Sequence, residues 1–327
     1  MNNTLAVTFE LDACAHAALS EALAGAAQIV DISRLGQAQR QAALHGAQIV
    51  LARHPMRELS REELAMLVHL QLIQLMTAGV DFIPIGELPT GVPVASNAGA
   101  YSEPMAEHAL ALTLAATKRL LTEHSAIARG EFNQHAPNRM LGGMVCGILG
   151  YGGIGRSTAR LMRCIGAQIH AINRSGHSSD ALDWIGTTAD LDRFLAAIDV
   201  LVISTPLTQA THGLLGAGEL ARMKDDAILV NLARGEIIDE AALFTHLQAH
   251  PNFTACIDAW WVEPVRHGEF RMDHPFMHLP NVIGSPHNSA SVAQTGVTAL
   301  RMAGRNCRRQ FLGEPVLNTV RPQDRYL

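Results

Sequence analysis

Three ionisable residues in the last third of the chain, Arg234, Glu263 and His287, are of types that together work on a carbonyl group. Each follows a short apolar run, in Asn231-Leu-Ala-Arg-Gly235, Asp258-Ala-Trp-Trp-Val-Glu-Pro264 and Gly284-Ser-Pro-His-Asn-Ser-Ala290. Reducing a ketone, or oxidising an alcohol, by hydride transfer needs an anchor for the substrate, a proton donor or acceptor on the reacting oxygen, and a group that tunes that acid. A guanidinium, an imidazole and a carboxylate fill those roles. An Arg at the end of a buried strand is rarely left unpaired, so its fork should face a carboxylate, from substrate or from protein. A neighbouring carboxylate favours the imidazolium, so Glu263 would keep His287 protonated near neutrality, ready to donate to a ketone. Taken singly, Glu263 before Pro264 and His287 after Pro286 read equally well as turn residues. Their occurrence together at successive strand ends gives the chemical reading its weight.

A hydride donor has its own signature. Val145-Cys-Gly-Ile-Leu-Gly150-Tyr-Gly152-Gly153-Ile154-Gly155 is an apolar strand entering G-x-G-x-x-G and then a helix-compatible stretch. The glycine pattern alone is weak, but between a strand and a helix it has a mechanism. Gly150 permits the tight turn, Gly152 the approach of a pyrophosphate to the backbone, and Gly155 close packing of helix on strand. The following strand ends at Asn173-Arg174-Ser175, where an acid would read the ribose 2′-hydroxyl of NAD. No acid stands there. A guanidinium fork and a hydroxyl suit a 2′-phosphate better, which favours NADP (as NADPH) over NAD, with NAD still open. Arg174 solvated, or stacked on the adenine, is the competing reading.

Composition agrees with a two-domain α/β enzyme. The 327 residues are 48% hydrophobic and 17% charged with a net charge of −5, which gives no electrostatic reason to expect nucleic acid or a membrane as partner. The start lacks a basic n-region and a signal-peptide core, so a cytoplasmic location is expected. Five cysteines without C-x-x-C spacing read as reduced, buried small hydrophobes. Sixteen histidines show no metal-ligand spacing, so no metal is expected.

Short apolar runs alternate with helix-period stretches, the pattern of parallel βαβ units. The predicted strands of the first unit cover 5–9, 28–30, 48–52 and 72–76, with helices over 13–24, 36–44 and 61–69. A strand at 94–96 and an alanine- and leucine-rich helix at 104–121 follow, the latter apolar on several faces and therefore buried between domains or in a dimer. Strands at 145–149, 168–172, 200–204, 227–232, 255–257 and 282–284 form the second unit. A helix over 292–311 and a short strand over 315–320 then return to the first. Two doubly wound parallel-sheet domains are expected: a flavodoxin-like, discontinuous substrate domain (1–97 and 291–327) and a Rossmann cofactor domain (98–290).

The chain resembles the D-isomer-specific 2-hydroxyacid dehydrogenases over nearly its whole length. The resemblance rests on Ala78-Gly-Val-Asp81, Asn97-Ala-Gly-Ala-Tyr-Ser-Glu-Pro-Met-Ala-Glu-His108, the glycine loop, Thr205-Pro-Leu-Thr208, Asn231-Leu-Ala-Arg-Gly235, Asp258 with Glu263-Pro264, and Ser285-Pro-His287. It implies that Arg234 binds the carboxylate and carbonyl oxygen of a 2-keto acid, that His287 is the acid/base, and that Glu263 pairs with it. It further implies a second carboxylate anchor in the backbone N–H groups of Ala78 and Gly79, with substrate in an interdomain cleft. Asp258 would hydrogen-bond the nicotinamide carboxamide, although an acid there also suits a helix cap. Thr205 and Pro206 would flank the nicotinamide or its ribose. Glu107 and His108, inside an apolar helix, read as structural hydrogen-bonding residues. Trp260 and Trp261 depart from the family's commoner filling; one is expected in the substrate pocket and the other in a core or interface. Asn173-Arg174-Ser175 resembles the glyoxylate and hydroxypyruvate reductases, so the expected reaction is NADPH-dependent reduction of a small 2-keto acid by a homodimer. Arg53, His54 and Met56 are not diagnostic, which leaves open NAD(H) with a bulkier 2-keto acid. A dinucleotide-sensing regulator on the same scaffold is the alternative from another class; a methyltransferase would leave Arg234, Glu263 and His287 without a role.

Overall fold

The computed structural model describes residues 3–326, which divide into two compact units, 3–101 with 292–326 and 102–291. The first unit is built on a parallel sheet of β1 (Thr4–Val7), β2 (Gln28–Asp31), β3 (Ile49–Ala52), β4 (Leu72–Leu75) and β5 (Val94–Ala95), in the order β2-β1-β3-β4-β5. That is the flavodoxin-like order, with its switch point between β1 and β3. Strands β3 and β4 are buried along their whole length, which explains why they read as continuous apolar runs and not as alternating ones. Helices α1 (Ala13–Leu23), α2 (Gln37–Gly46), α3 (Pro55–Glu58) and α4 (Arg61–Ala65) connect the strands. Asp12 caps α1 and Ser60 with Glu63 forms a capping box on α4. The C-terminal helix Thr295–Phe311 belongs to this unit and packs on α1. Gly304 makes the crossing close, since a Cβ there would stand 2.8 Å from that of Ala22.

The second unit contains α5 (Ser102–Thr117), α6 (Leu120–Ala128) and a seven-stranded parallel sheet. Its strands are β6 (Val145–Leu149), β7 (Gln168–Ile172), β8 (Trp184–Gly186), β9 (Val200–Ile203), β10 (Ile228–Asn231), β11 (Thr254–Ile257) and β12 (Val282–Gly284). The order is β12-β11-β10-β9-β6-β7-β8, so the strand sequence reverses between β6 and β9. Helices α7 (Gly153–Cys164), α8 (Leu191–Ala197), α9 (Ala217–Leu220), α10 (Glu240–Ala249) and α11 (Pro264–His267) lie between the strands along the chain.

Several expectations need correction. The helix predicted over 104–121 ends at Thr117, because Arg119 adopts a left-handed conformation (φ +52°) and α6 sets off in its own right. Helix α5 is apolar on several sides yet buries one stripe, Met105, Ala106, Ala109, Leu112, Thr113 and Thr117, at helical spacing. Leu120 and Leu121 fall on α6, which buries no side chain. Strand β8 was not foreseen; it is three residues long and carries no alternation. In place of the strand over 315–320 there is a single antiparallel bridge, Ala95 to Thr319, beside the left-handed Asn318 (φ +56°). Of the cysteines, Cys146, Cys256 and Cys307 are buried, whereas Cys14 and Cys164 lie on exposed helix positions.

Candidate active site

In an open α/β sheet, ligands bind beyond the carboxyl ends of the strands at the switch point. In the second unit that point is flanked by the loops after β6 and β9. Gly150 has φ +103°, and a Cβ there would stand 2.6 Å from the Cα of Thr205, so only glycine fits. Ser204 Oγ donates to the Gly150 carbonyl at 2.8 Å and ties the two loops together. A Cβ on Gly155 would run into the Gly150 carbonyl and stand 2.8 Å from Ile148 Cγ2. At Gly152, by contrast, nothing lies within 4 Å of a Cβ position, and this residue caps α7 without a side-chain hydrogen bond. Gly153 and Ile154 follow in the first turn. A helix N-terminus with uncapped amides behind an open glycine is what a pyrophosphate requires, so the residues present fit a dinucleotide.

After β7, Asn173 organises its own loop: Oδ1 accepts from the N–H groups of Ser175 (3.1 Å) and Gly176 (2.7 Å), and Nδ2 donates to the His177 carbonyl. This is an Asx turn, which presents Arg174 and Ser175 on the exposed side. Two further groups near this loop escaped the sequence reading. Tyr151, inside the glycine motif, donates from its hydroxyl to Asp180 at 3.0 Å, and Arg156 pairs with the same carboxylate at 3.6 Å. Burial and Asp180 push the Tyr151 phenol up to about 12, so it remains a donor. On the β9 side, the Pro206 carbonyl accepts from Thr211 Oγ1 at 2.7 Å, which shapes the segment holding Thr205.

The ionisable residues meet at the ends of β10, β11 and β12. His287 Nδ1 lies 2.8 Å from both carboxylate oxygens of Glu263. Glu263 is buried, with a side-chain exposure of 8% against 34% for His287. Desolvation would raise its carboxyl, but the hydrogen bond and charge of His287, the Trp260 N–H and the Arg234 guanidinium together hold it below the usual carboxylate range. The Trp260 N–H donates to Glu263 Oε1 at 2.7 Å, so the carboxylate is fixed from its own chain. Arg234 is half-buried after β10, its loop set by Asn231, whose Nδ2 donates to the Arg234 carbonyl at 2.9 Å. Gly235 brings this turn against the next one: a Cβ there would stand 2.5 Å from the Trp260 carbonyl carbon.

Other side chains brace this cluster. Arg266 forks onto Glu236 at 3.0 and 2.5 Å, linking the turn after Arg234 to α11 after Glu263. Trp260 donates from Nε1 to the Ser285 carbonyl and Trp261 to that of Ile238; both rings pack on Phe276, Trp261 stacked at 5.3 Å. Asp258, fully buried, accepts from Ser285 Oγ at 2.6 Å and from the Asn288 and Ser289 N–H groups. Three of its roughly four acceptor positions are thus engaged. In the first unit, Ala78 and Gly79 occupy a half-buried segment after β4, where the Thr77 carbonyl accepts from the Asn97 N–H. Among the described residues no group of His, Cys, Asp and Glu is placed to hold a metal ion, and no helix is long and apolar enough to cross a membrane.

Residues 110–289 match the family described as D-isomer specific 2-hydroxyacid dehydrogenase, NAD binding domain, more than half of the chain. The chain belongs to that family. It is an NAD(P)-dependent oxidoreductase and uses a nicotinamide dinucleotide. A glyoxylate/hydroxypyruvate reductase B from Pectobacterium carotovorum is 31% identical over 76% of this chain and 78% of its own. A D-3-phosphoglycerate dehydrogenase from Archaeoglobus fulgidus is 30% identical over 77% of this chain, which spans only 47% of that longer protein. Among solved structures, a provisionally assigned formate dehydrogenase from Pyrobaculum aerophilum superposes with a TM-score of 0.81 at 29% identity, covering all of both chains. A family member from Xanthobacter autotrophicus, solved with NADPH and MES, gives 0.77 at 26% identity over 98% of this chain and 99% of that one.

Proposed function

We propose that this protein reduces a small 2-keto acid of the glyoxylate or hydroxypyruvate type to the D-2-hydroxy acid, with NADPH preferred. The observation that carries the proposal is the His287–Glu263 pair at 2.8 Å beside Arg234. Bound at the glycine loop by Gly150, Gly152, Gly153, Ile154 and Gly155, the cofactor supplies the hydride. Arg234 binds the substrate carboxylate and polarises the carbonyl, stabilising the charge that develops on its oxygen. With Nδ1 held by Glu263, His287 has Nε2 to give a proton to that oxygen. The Ala78 and Gly79 amides add a second hold on the carboxylate. Thr205 and Pro206 would flank the nicotinamide or its ribose, and Asp258, buried in this structure, would have one acceptor position left for the carboxamide.

For the cofactor, the absence of an acid at Asn173-Arg174-Ser175 supports NADPH, as does the NADPH bound to the Xanthobacter relative. The names of the Pectobacterium relatives support the substrate class. A homodimer is part of the same proposal. The test is the initial rate of NADPH and NADH oxidation with glyoxylate, hydroxypyruvate and pyruvate, in the wild type and in Arg174→Ala. Charge-assisted hydrogen bonds are worth about 1.5–3 kcal/mol, so the variant should lose NADPH preference by on the order of tenfold or more. A wild type that prefers NADH would overturn the cofactor assignment and leave the acid–base pair untouched.

A further inference from the structure

The buried carboxylate of Asp258 ties down the turn that carries His287. Its Oδ1 accepts from the Ser285 hydroxyl (2.6 Å) and the Asn288 N–H (3.2 Å), its Oδ2 from the Ser289 N–H (3.3 Å), and its main-chain carbonyl from the His287 N–H (2.9 Å). Residues 287, 288 and 289 therefore all hang on one buried residue. His287 itself sits at φ +48°, a left-handed conformation that persists in a non-glycine residue only when its surroundings hold it there.

The Ser285 hydroxyl has one proton, and a carboxylate can only accept, so that proton goes to Asp258. What Ser285 has left is lone pairs. Across from it, 177 residues earlier in the chain, His108 Nε2 lies 3.1 Å from the same oxygen and 3.7 Å from Asp258 Oδ1. His108 must therefore carry its proton on Nε2 and donate it to Ser285, which fixes the tautomer of a ring on α5 by a carboxylate at the end of β11.

We propose that His108 is a positioning residue for the reaction: through Ser285 it holds the Asp258 carboxylate in the orientation that keeps the 285–289 loop wound and His287 seated on Glu263. The proposal rests on the reading of His287 as the proton donor. Removing the His108 donor frees the Ser285 hydroxyl to turn, and the loop loses one of the constraints that maintain the left-handed His287. The cost falls on the fraction of molecules with His287 correctly placed, and so on kcat more than on the dinucleotide.

The test uses the full chain with NADPH and glyoxylate, comparing His108→Leu, His108→Gln, Ser285→Ala and the double variant His108→Leu/Ser285→Ala, with His287→Ala as reference. His108→Leu and Ser285→Ala should each lower kcat by on the order of tenfold, and the double variant no further, because both break one link. Dinucleotide affinity, read by fluorescence quenching, should fall less than kcat does in each variant. Gln places an N–H donor where the imidazole Nε2 was and should restore most of kcat. An unchanged kcat in His108→Leu, losses that multiply, no rescue by Gln, or a loss confined to dinucleotide affinity would each overturn the proposal. A crystal structure of His108→Leu decides independently of any substrate: loss or doubling of the His287–Glu263 contact supports the link, and its retention at 2.8 Å with an unmoved loop contradicts it. Full turnover by His287→Ala would instead sink the reading of His287, with the crystallographic result still deciding the role of His108.

Discussion

Glu263 takes part in both the stability and the proposed chemistry of the site. Its carboxyl is held below the usual carboxylate range, against the upward push of its own burial, by His287, the Trp260 N–H and Arg234. A group whose folded value is depressed contributes stability that is present above its unfolded value, about 4.3, and is lost as pH falls through the folded value. Glu263→Gln should therefore melt below the wild type at neutral pH, with the gap closing as pH drops under about 4. Thermal melts of the two proteins across pH 3–7 check this, and a gap that widens on acidification would contradict it. At this scale the sequence was informative where a residue sits in a local motif. Arg234, Glu263 and His287 each stand beside a glycine or proline at the end of an apolar run, and the fold brings Glu263 and His287 into contact. The Arg266–Glu236 fork and the partner of His108 were not legible, because each contact joins segments 30 or more residues apart; the sequence marks His108 as a hydrogen-bonding residue without saying to what.

At the scale of elements, strands were read best and helix ends worst. Buried strands such as β3, β4, β9 and β10 are continuous apolar runs, and hydrophobicity alone marks them. The end of α5 is set by the left-handed Arg119, a conformation that no glycine announces. This break matters for assembly. It puts Leu120, Leu121 and Ile127 on α6, about half exposed, followed by Phe132 and Met140, which are 79% and 73% exposed. Apolar side chains gathered in one segment exceed what scattered surface residues explain and support the homodimer proposed above. Light scattering on the full chain is expected to give twice the monomer mass, and Leu121→Glu to shift it toward the monomer. A monomer at micromolar concentration in the wild type would contradict the assembly.

For the whole molecule, the two strand orders do the positioning. In the second unit the reversal between β6 and β9 sets Gly150 against Thr205, and the neighbouring strands β10, β11 and β12 deliver Arg234, Glu263 and His287 in chain order along the same sheet edge. Alternating strand and helix periods were enough to read two parallel sheets from the sequence; the order of strands within each sheet depends on crossovers that periodicity does not encode. Proton transfer to a substrate oxygen through His287 is the step proposed for this edge. Single-turnover reduction of glyoxylate, with NADPH already bound, measures that step in the wild type and in His287→Ala. A general acid contributes roughly 10²–10⁴-fold, so the variant should bind NADPH as the wild type does and reduce glyoxylate slower by about that factor. Equal single-turnover rates in the two proteins would rule out His287 as the proton donor.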